Sequence, residues 1–252
     1  MNPMRTLLTL ILWFVGGTAL AQPMQPDYAR EKRWADEITP AILVGDPVYL
    51  ALKSGHKFLA IHAPAAKPHA AVIVVHGLGM HPDWSLINPL RSQLAEQGYA
   101  TLSVQMPVLA ADAKGETYPP LYPEAIERLR VAVTFLREKG HRKIAMAGHS
   151  MGARMVNEFI NHGGADAIDA WVSIGITYGL YTKPETFKAP VLDIYGEKDF
   201  PAVLQHAATR AQAIQRVRGS AQMQIAGADH FFTGKETELV KQTRQFLDQR
   251  LR

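Results

Sequence analysis

The 252-residue chain contains no cysteine, so neither a disulfide framework nor a lipid-bearing cysteine is open to it. It also lacks a long apolar run. The stretch 7–15 falls well short of the roughly 20 residues a membrane-spanning helix needs. Nor is there a large excess of one charge: 27 Lys and Arg stand against 23 Asp and Glu, scattered along the chain, and this mild balance argues against a nucleic-acid partner. Internal repeats, low-complexity tracts and an interdomain linker are missing as well, which leaves one folded domain as the expectation.

What is present begins with a leader. Arg5 precedes the apolar run 7–15, a Gly16-Gly17 break and then Ala19-Leu20-Ala21, the pattern of a secretory signal peptide cleaved after Ala21. The expected organisation is residues 1–21 as signal peptide and 22–252 as a single domain. The protein is then periplasmic or secreted, with no stable membrane span after cleavage.

Downstream, short β-branched runs alternate with stretches of helical period, the signature of strands and crossover helices in a mostly parallel sheet. The predicted strands are 72–75, 99–104, 143–147, 171–176, 191–195 and 222–226, each apolar enough to be buried on both faces. Between them Ile87, Leu90 and Leu94 share a helical face, as do Ile126, Leu129, Val133 and Leu136, and Met155, Val156, Phe159 and Ile160. A last helix carries Leu239, Val240, Thr243, Phe246, Leu247 and Leu251 on one stripe. Ahead of this block, 47–52 and 57–63 flank Ser54-Gly55-His56 and predict an antiparallel hairpin, preceded by a short helix within 30–42 carrying Trp34 and Ile38.

The most informative stretch is 143–153, where an apolar strand runs into Gly148-x-Ser150-x-Gly152 and then into a helical pattern. This is the context of a nucleophile elbow, in which a serine on a tight strand-to-helix turn exposes its hydroxyl above the sheet. Such a serine needs a base to take its proton and a carboxylate to hold that base in the right tautomer, in the order Ser, acid, His. Seven histidines, at positions 56, 62, 69, 76, 81, 141 and 149, precede the serine, and His162 and His206 fall in helical segments. His230 remains, on a turn after a strand with Phe231 and Phe232 to wall it off. For the acid, Asp199 is favoured after the strand 191–195, with Glu197 its main rival, Asp229 nearby and Asp193 inside the strand. The oxyanion of acyl transfer needs two N–H donors: Met151, following the serine, and Leu78, after the strand that ends in His76-Gly77.

The segments HGLG, GHSMG, YGEKD and GADHF, in this order and at these strand ends, resemble the α/β-hydrolase superfamily over residues 47–252. The resemblance implies an α/β-hydrolase fold, a mostly parallel central sheet with an N-terminal antiparallel hairpin and helices on both faces. Many relatives carry a lid after the sixth core strand, but only residues 177–189 lie there, too few for a lid domain. The stretch 76–84, with 89–91 and 101–107, is also similar to an exported bacterial branch that carries no assigned activity. That similarity places His81, Asp83 and Trp84 on the loop beside the oxyanion hole, against substrate; the alternative is a structural turn with Asp83 capping the next helix. The longest irregular loop, 107–123, leaves the carboxyl end of a strand, where ligands bind in open α/β sheets, so Tyr118 and Tyr122 are candidate walls of the pocket. A plain surface loop stiffened by prolines is the other reading. Tyr178 and Tyr181 are similar candidates.

The expected activity is cleavage of a carboxylic ester, as a carboxylesterase or deacetylase, on a small-molecule or envelope-derived substrate, with no cofactor or metal. A peptidase using the same triad and a non-catalytic envelope-binding protein are the alternatives.

Overall fold

The computed structural model describes residues 24–65 and 70–251. The leader assigned to residues 1–21 lies outside them.

Eight strands form one sheet: β1 (Asp46–Ala51), β2 (Lys57–Ala63), β3 (Ala71–Val75), β4 (Ala100–Val104), β5 (Ile144–His149), β6 (Ala170–Ile174), β7 (Val191–Lys198) and β8 (Ala221–Asp229). Their order is β1-β2-β4-β3-β5-β6-β7-β8. β2 pairs antiparallel with β1 and β4, and every pairing from β4 to β8 is parallel. Among the described residues seven α-helices accompany the sheet: α1 (Tyr28–Ile38), α2 (Ile87–Glu96), α3 (Tyr122–Glu138), α4 (Met151–Phe159), α5 (Pro201–Gln205), α6 (Ala207–Gln215) and α7 (Glu236–Leu251).

The central strands are apolar on both faces because both are covered. Along β3, Ala71, Ile73 and Val75 join the layer of α3, α4 and α6, whereas Val72 and Val74 join the layer of α2 and α7. The stripe read on the last helix is the buried one: Leu239, Val240, Thr243, Phe246, Leu247 and Leu251 all face the sheet. Asp27 caps α1, its carboxylate accepting from Arg30 N at 2.8 Å.

Three expectations shift. In α3 the buried face is Ala125, Arg128, Leu129, Ala132 and Leu136, with Ile126 and Val133 only half-buried. Arg128 turns the helix: wholly buried, it pairs with Glu31 of α1 at 2.9 Å and Glu124 at 2.6 Å, so a charged residue takes a place that periodicity reserves for an apolar one. In the 107–123 loop, Tyr118 belongs to the core, its hydroxyl accepting from Leu109 N at 3.2 Å. Asp83 caps no helix. Its carboxylate accepts instead from Asn88 Nδ2 and from Arg91 Nε at 2.6 Å.

Between β6 and β7, residues 175–190 hold only two short 3-10 turns, Thr177–Gly179 and Pro184–Thr186, and the carboxyl ends of the strands are left without a helical cap. No helix among the described residues is long and apolar enough to cross a membrane.

Candidate active site

Ser150 stands between the last residue of β5 and the first of α4 with φ 54° and ψ −116°, a conformation that costs a non-glycine residue on the order of 1–3 kcal/mol. The local sequence makes it possible. A Cβ on Gly152 would overlap the main-chain oxygens of Val75 and His76, and one on Gly148 would sit 2.9 Å from Ala153 Cα. Only glycines let the strand, the turn and the helix approach this closely. Ser150 N donates to Ile174 O at 2.8 Å and its carbonyl accepts from Arg154 N, tying the turn to β6 and to its own helix.

Three side chains are hydrogen-bonded in series at this point. Ser150 Oγ lies 2.9 Å from His230 Nε2, and His230 Nδ1 lies 2.6 Å from Asp199 Oδ1. All three residues are buried, which excludes most competing water. Asp199 follows β7, whose pairing with β8 shifts register between Gly196 and Lys198. The carboxylate also accepts from Phe200 N at 2.7 Å and Gly196 N at 3.3 Å.

The other acids are committed elsewhere. Glu197 accepts from Gly227 N, Asp229 closes its own turn by accepting from Phe231 N and Thr233 N, and Asp193 binds the buried Arg210 at 2.9 Å. Loop geometry therefore sets Asp199, and not Glu197, against His230.

His149 supports His230 from below. It lies 2.9 Å from the His230 carbonyl through Nε2, so that nitrogen carries the proton and donates. Burial pushes its pKa down to about 3, and the ring stays neutral at physiological pH. His76 plays a parallel part at the end of β3. Its Nε2 accepts from Met106 N at 2.9 Å, which leaves Nδ1–H to donate to Gly77 O at 2.9 Å. Since Gly77 C=O and Leu78 N–H share one planar peptide, holding the first aims the second.

Leu78 and Met151 border the same cavity as Ser150 and His230. Met151 opens α4, so its N–H has no partner within the helix and sits at the positive end of the helix dipole. The cavity measures about 390 Å³, and its walls also include Met80, Thr177, Tyr178, Phe200, Ala202, Val203 and Phe231, a mostly apolar lining. Phe200 is half-exposed and stacks on His230 with ring centres 4.1 Å apart; Phe231 meets it edge-on at 5.2 Å.

Of the candidates for substrate contact, Tyr118, Tyr122, His81, Asp83, Trp84 and Tyr181 do not border this cavity. Tyr118 is in the core, and Tyr122 packs behind the wall with its hydroxyl 3.8 Å from Met151 Sδ. His81 lies against Trp34, and Trp84 packs on the outer side of Phe231 at 5.7 Å. Tyr178, by contrast, does line it, and Tyr181 is buried against Trp171 and Asp193. Sequence reasoning missed Thr177 and Phe200. Thr177 follows β6 at a carboxyl end of the sheet, a signal that was available, whereas the stacking of Phe200 depends on how its loop turns. Among the described residues no group of three or more His, Asp or Glu could hold a metal ion.

The sheet order and the strand-end placement of these residues define an α/β-hydrolase fold. Solved structures with this fold include Est1E from Butyrivibrio proteoclasticus, 16% identical, with a TM-score of 0.65 over 81% of this chain and 98% of that one. A dienelactone hydrolase from Anabaena variabilis is 20% identical, with a TM-score of 0.66 over 82% of this chain and 97% of that one. XC6422 from Xanthomonas campestris, described as a serine hydrolase without lid, is 16% identical, with a TM-score of 0.64 over 82% and 95%. The chain itself belongs to the family described as protein of unknown function DUF3530, whose model matches residues 51–125 and 110–249. A comparison with curated proteins gives no match.

Proposed function

We propose that the protein is an exported serine hydrolase that cleaves carboxylic esters, in the periplasm or outside the cell, through an acyl-enzyme. The observation that carries this reading is the series Ser150–His230–Asp199, with contacts of 2.9 and 2.6 Å, at the floor of a mostly apolar cavity. Export rests on the leader-like residues 1–21.

In the first half-reaction Ser150 gives its proton to His230 Nε2 while Oγ bonds to the ester carbonyl carbon, and the carbonyl π electrons move onto oxygen. The N–H groups of Leu78 and Met151 receive that oxyanion. Collapse breaks the bond to the alcohol oxygen, which takes the proton from His230. Water then repeats the sequence: His230 accepts its proton, its oxygen attacks the acyl carbon, and Ser150 Oγ leaves with the proton returned. The apolar walls favour an uncharged acyl or aryl group over a charged one.

A fluorophosphonate probe on the intact chain should label Ser150. Ser150→Ala should abolish both labelling and turnover of short acyl esters, with a melting temperature within a few degrees of wild type. Turnover surviving in that variant would move the chemistry to another site. A panel of esters of graded acyl length then sizes the pocket.

A further inference from the structure

Ser150 Oγ has a second polar neighbour. Thr177 Oγ1 lies 3.0 Å from it, opposite in role to His230 Nε2 at 2.9 Å. Proton accounting settles who donates. The Asp199 carboxylate accepts from His230 Nδ1, so that nitrogen carries the hydrogen and Nε2 is a bare acceptor. Ser150 must then spend its single hydroxyl proton on His230. The contact with Thr177 can only be a hydrogen bond that Thr177 gives and Ser150 receives.

Thr177 is held for this from several sides. Its N–H donates to Ser150 O at 3.3 Å, and its carbonyl accepts from the buried Arg154 at 3.2 Å, which also holds Leu180 O at 2.7 Å. The next residue, Tyr178, has φ 63°, and a Cβ on Gly179 would overlap Ala202 O. Buried Arg210 donates to Gly179 O at 2.8 Å. A turn this constrained, with a non-glycine residue in the left-handed region, is the kind of strain that persists only where the surroundings over-determine it.

We infer that Thr177 is a fourth member of the catalytic hydrogen-bond chain, donating to the nucleophilic oxygen of Ser150 as it gains negative charge. This rests on Ser150 being the nucleophile. As the Ser150 proton passes to His230, Oγ becomes the better acceptor and the Thr177 bond becomes charge-assisted, so it is stronger in the transition state than at rest. Once Oγ is an acyl ester oxygen it accepts poorly and the bond relaxes; it reforms when Oγ departs in the second half-reaction. Thr177 keeps its own proton throughout. Because part of the bond already exists in the resting enzyme, its loss should cost less than the 10²–10³ of an oxyanion donor, on the order of tenfold.

The test compares Thr177→Val, which keeps the shape and loses the hydroxyl, with Thr177→Ser, which keeps the hydroxyl. The readout is inactivation of the intact chain by an alkyl fluorophosphonate, resolved into the probe's binding constant and its rate constant of bond formation. Thr177→Val should slow bond formation about tenfold with the binding constant within about twofold, and Thr177→Ser should restore most of it. The idea fails if Thr177→Val reacts at the wild-type rate, if both variants are slowed alike, or if only probe binding weakens. If Thr177→Val does not fold, Thr177→Ala against Thr177→Ser decides in the same terms. A folded wild type that resists the probe removes the nucleophile and Thr177 together, whereas a labelled wild type with an unaffected Val variant removes Thr177 alone.

Discussion

Gly152 illustrates how much of the site rests on single atoms. The hydrogen that stands for its side chain lies against the carbonyl oxygens of Val75, which ends β3, and of His76, which follows it; both are main chain and cannot swing aside as a flexible side chain would. Gly152→Ala therefore has to push α4 away from β3. The expected cost is about 3 kcal/mol, on the order of 10 °C in Tm, with loss of fluorophosphonate labelling below the melting point because Ser150 moves with the turn. A thermal melt near wild type would mean the elbow is more pliant than its packing suggests.

Among the elements, α1 has a reach that its position in the chain does not suggest. It lies ahead of residues 51–249, the part the family model spans, yet it grips the loop beside the cavity. Arg30 donates to Leu109 O at 2.7 Å and to Gly79 O at 3.2 Å, with its guanidinium 4.4 Å over Trp34, and Trp34 rests against His81. Asp27 N adds a bond to Val108 O. Leu78 is thus bracketed by a carbonyl held from α1 on one side and by the peptide that His76 holds on the other. A hydrogen bond from a charged donor contributes about 1.5–3 kcal/mol, and the Gly79 bond is the longer of the two. Arg30→Met should therefore lower kcat/KM on a short ester by roughly tenfold, mostly through kcat, while the melting temperature falls by a few degrees. An unchanged kcat would assign α1 to packing alone.

Over the whole molecule, buried histidines set the response to acid. Burial pushes His76 and His149 from 6.5 down to about 3, and it lowers His56, His62, His81 and His141 in the same direction. In the unfolded chain these groups bind protons near pH 6.5, whereas in the folded one His76 and His149 do not until about pH 3. The stability they contribute is present above pH 6.5 and drains away as the pH falls toward 3. Glu31 works the other way. Its burial pushes it from 4.5 up to about 7 despite the Arg128 guanidinium, so its contribution is lost as the pH rises through 7. Several histidines outweigh one glutamate, and the urea midpoint should drop between pH 7.5 and pH 5. A midpoint that rises toward pH 5 would show Glu31 to dominate.

Most of the fold was legible along the chain because it is written in local patterns. Two-sided apolar strands, helices with one buried stripe, and a glycine-flanked serine between a strand and a helix are each a property of a short window. Ser150 and His230 were legible for the same reason, with chain order excluding the other histidines. The structure decided what depends on contacts distant in sequence. Arg128 turns α3 because Glu31, 97 residues away, comes to meet it. Tyr118 is drawn into the core, and the mostly apolar cavity is walled instead by Phe200 and Tyr178 from loops of other strands. Asp199 and Glu197, two residues apart, are told apart only by which of them meets His230. Thr177 meets Ser150 because the sheet sets the end of β6 beside the end of β5. Local sequence determines which elements form and which side chain stands on the turn between strand and helix, but which atoms reach it is set by the packing of strand ends, and no window along the chain contains that.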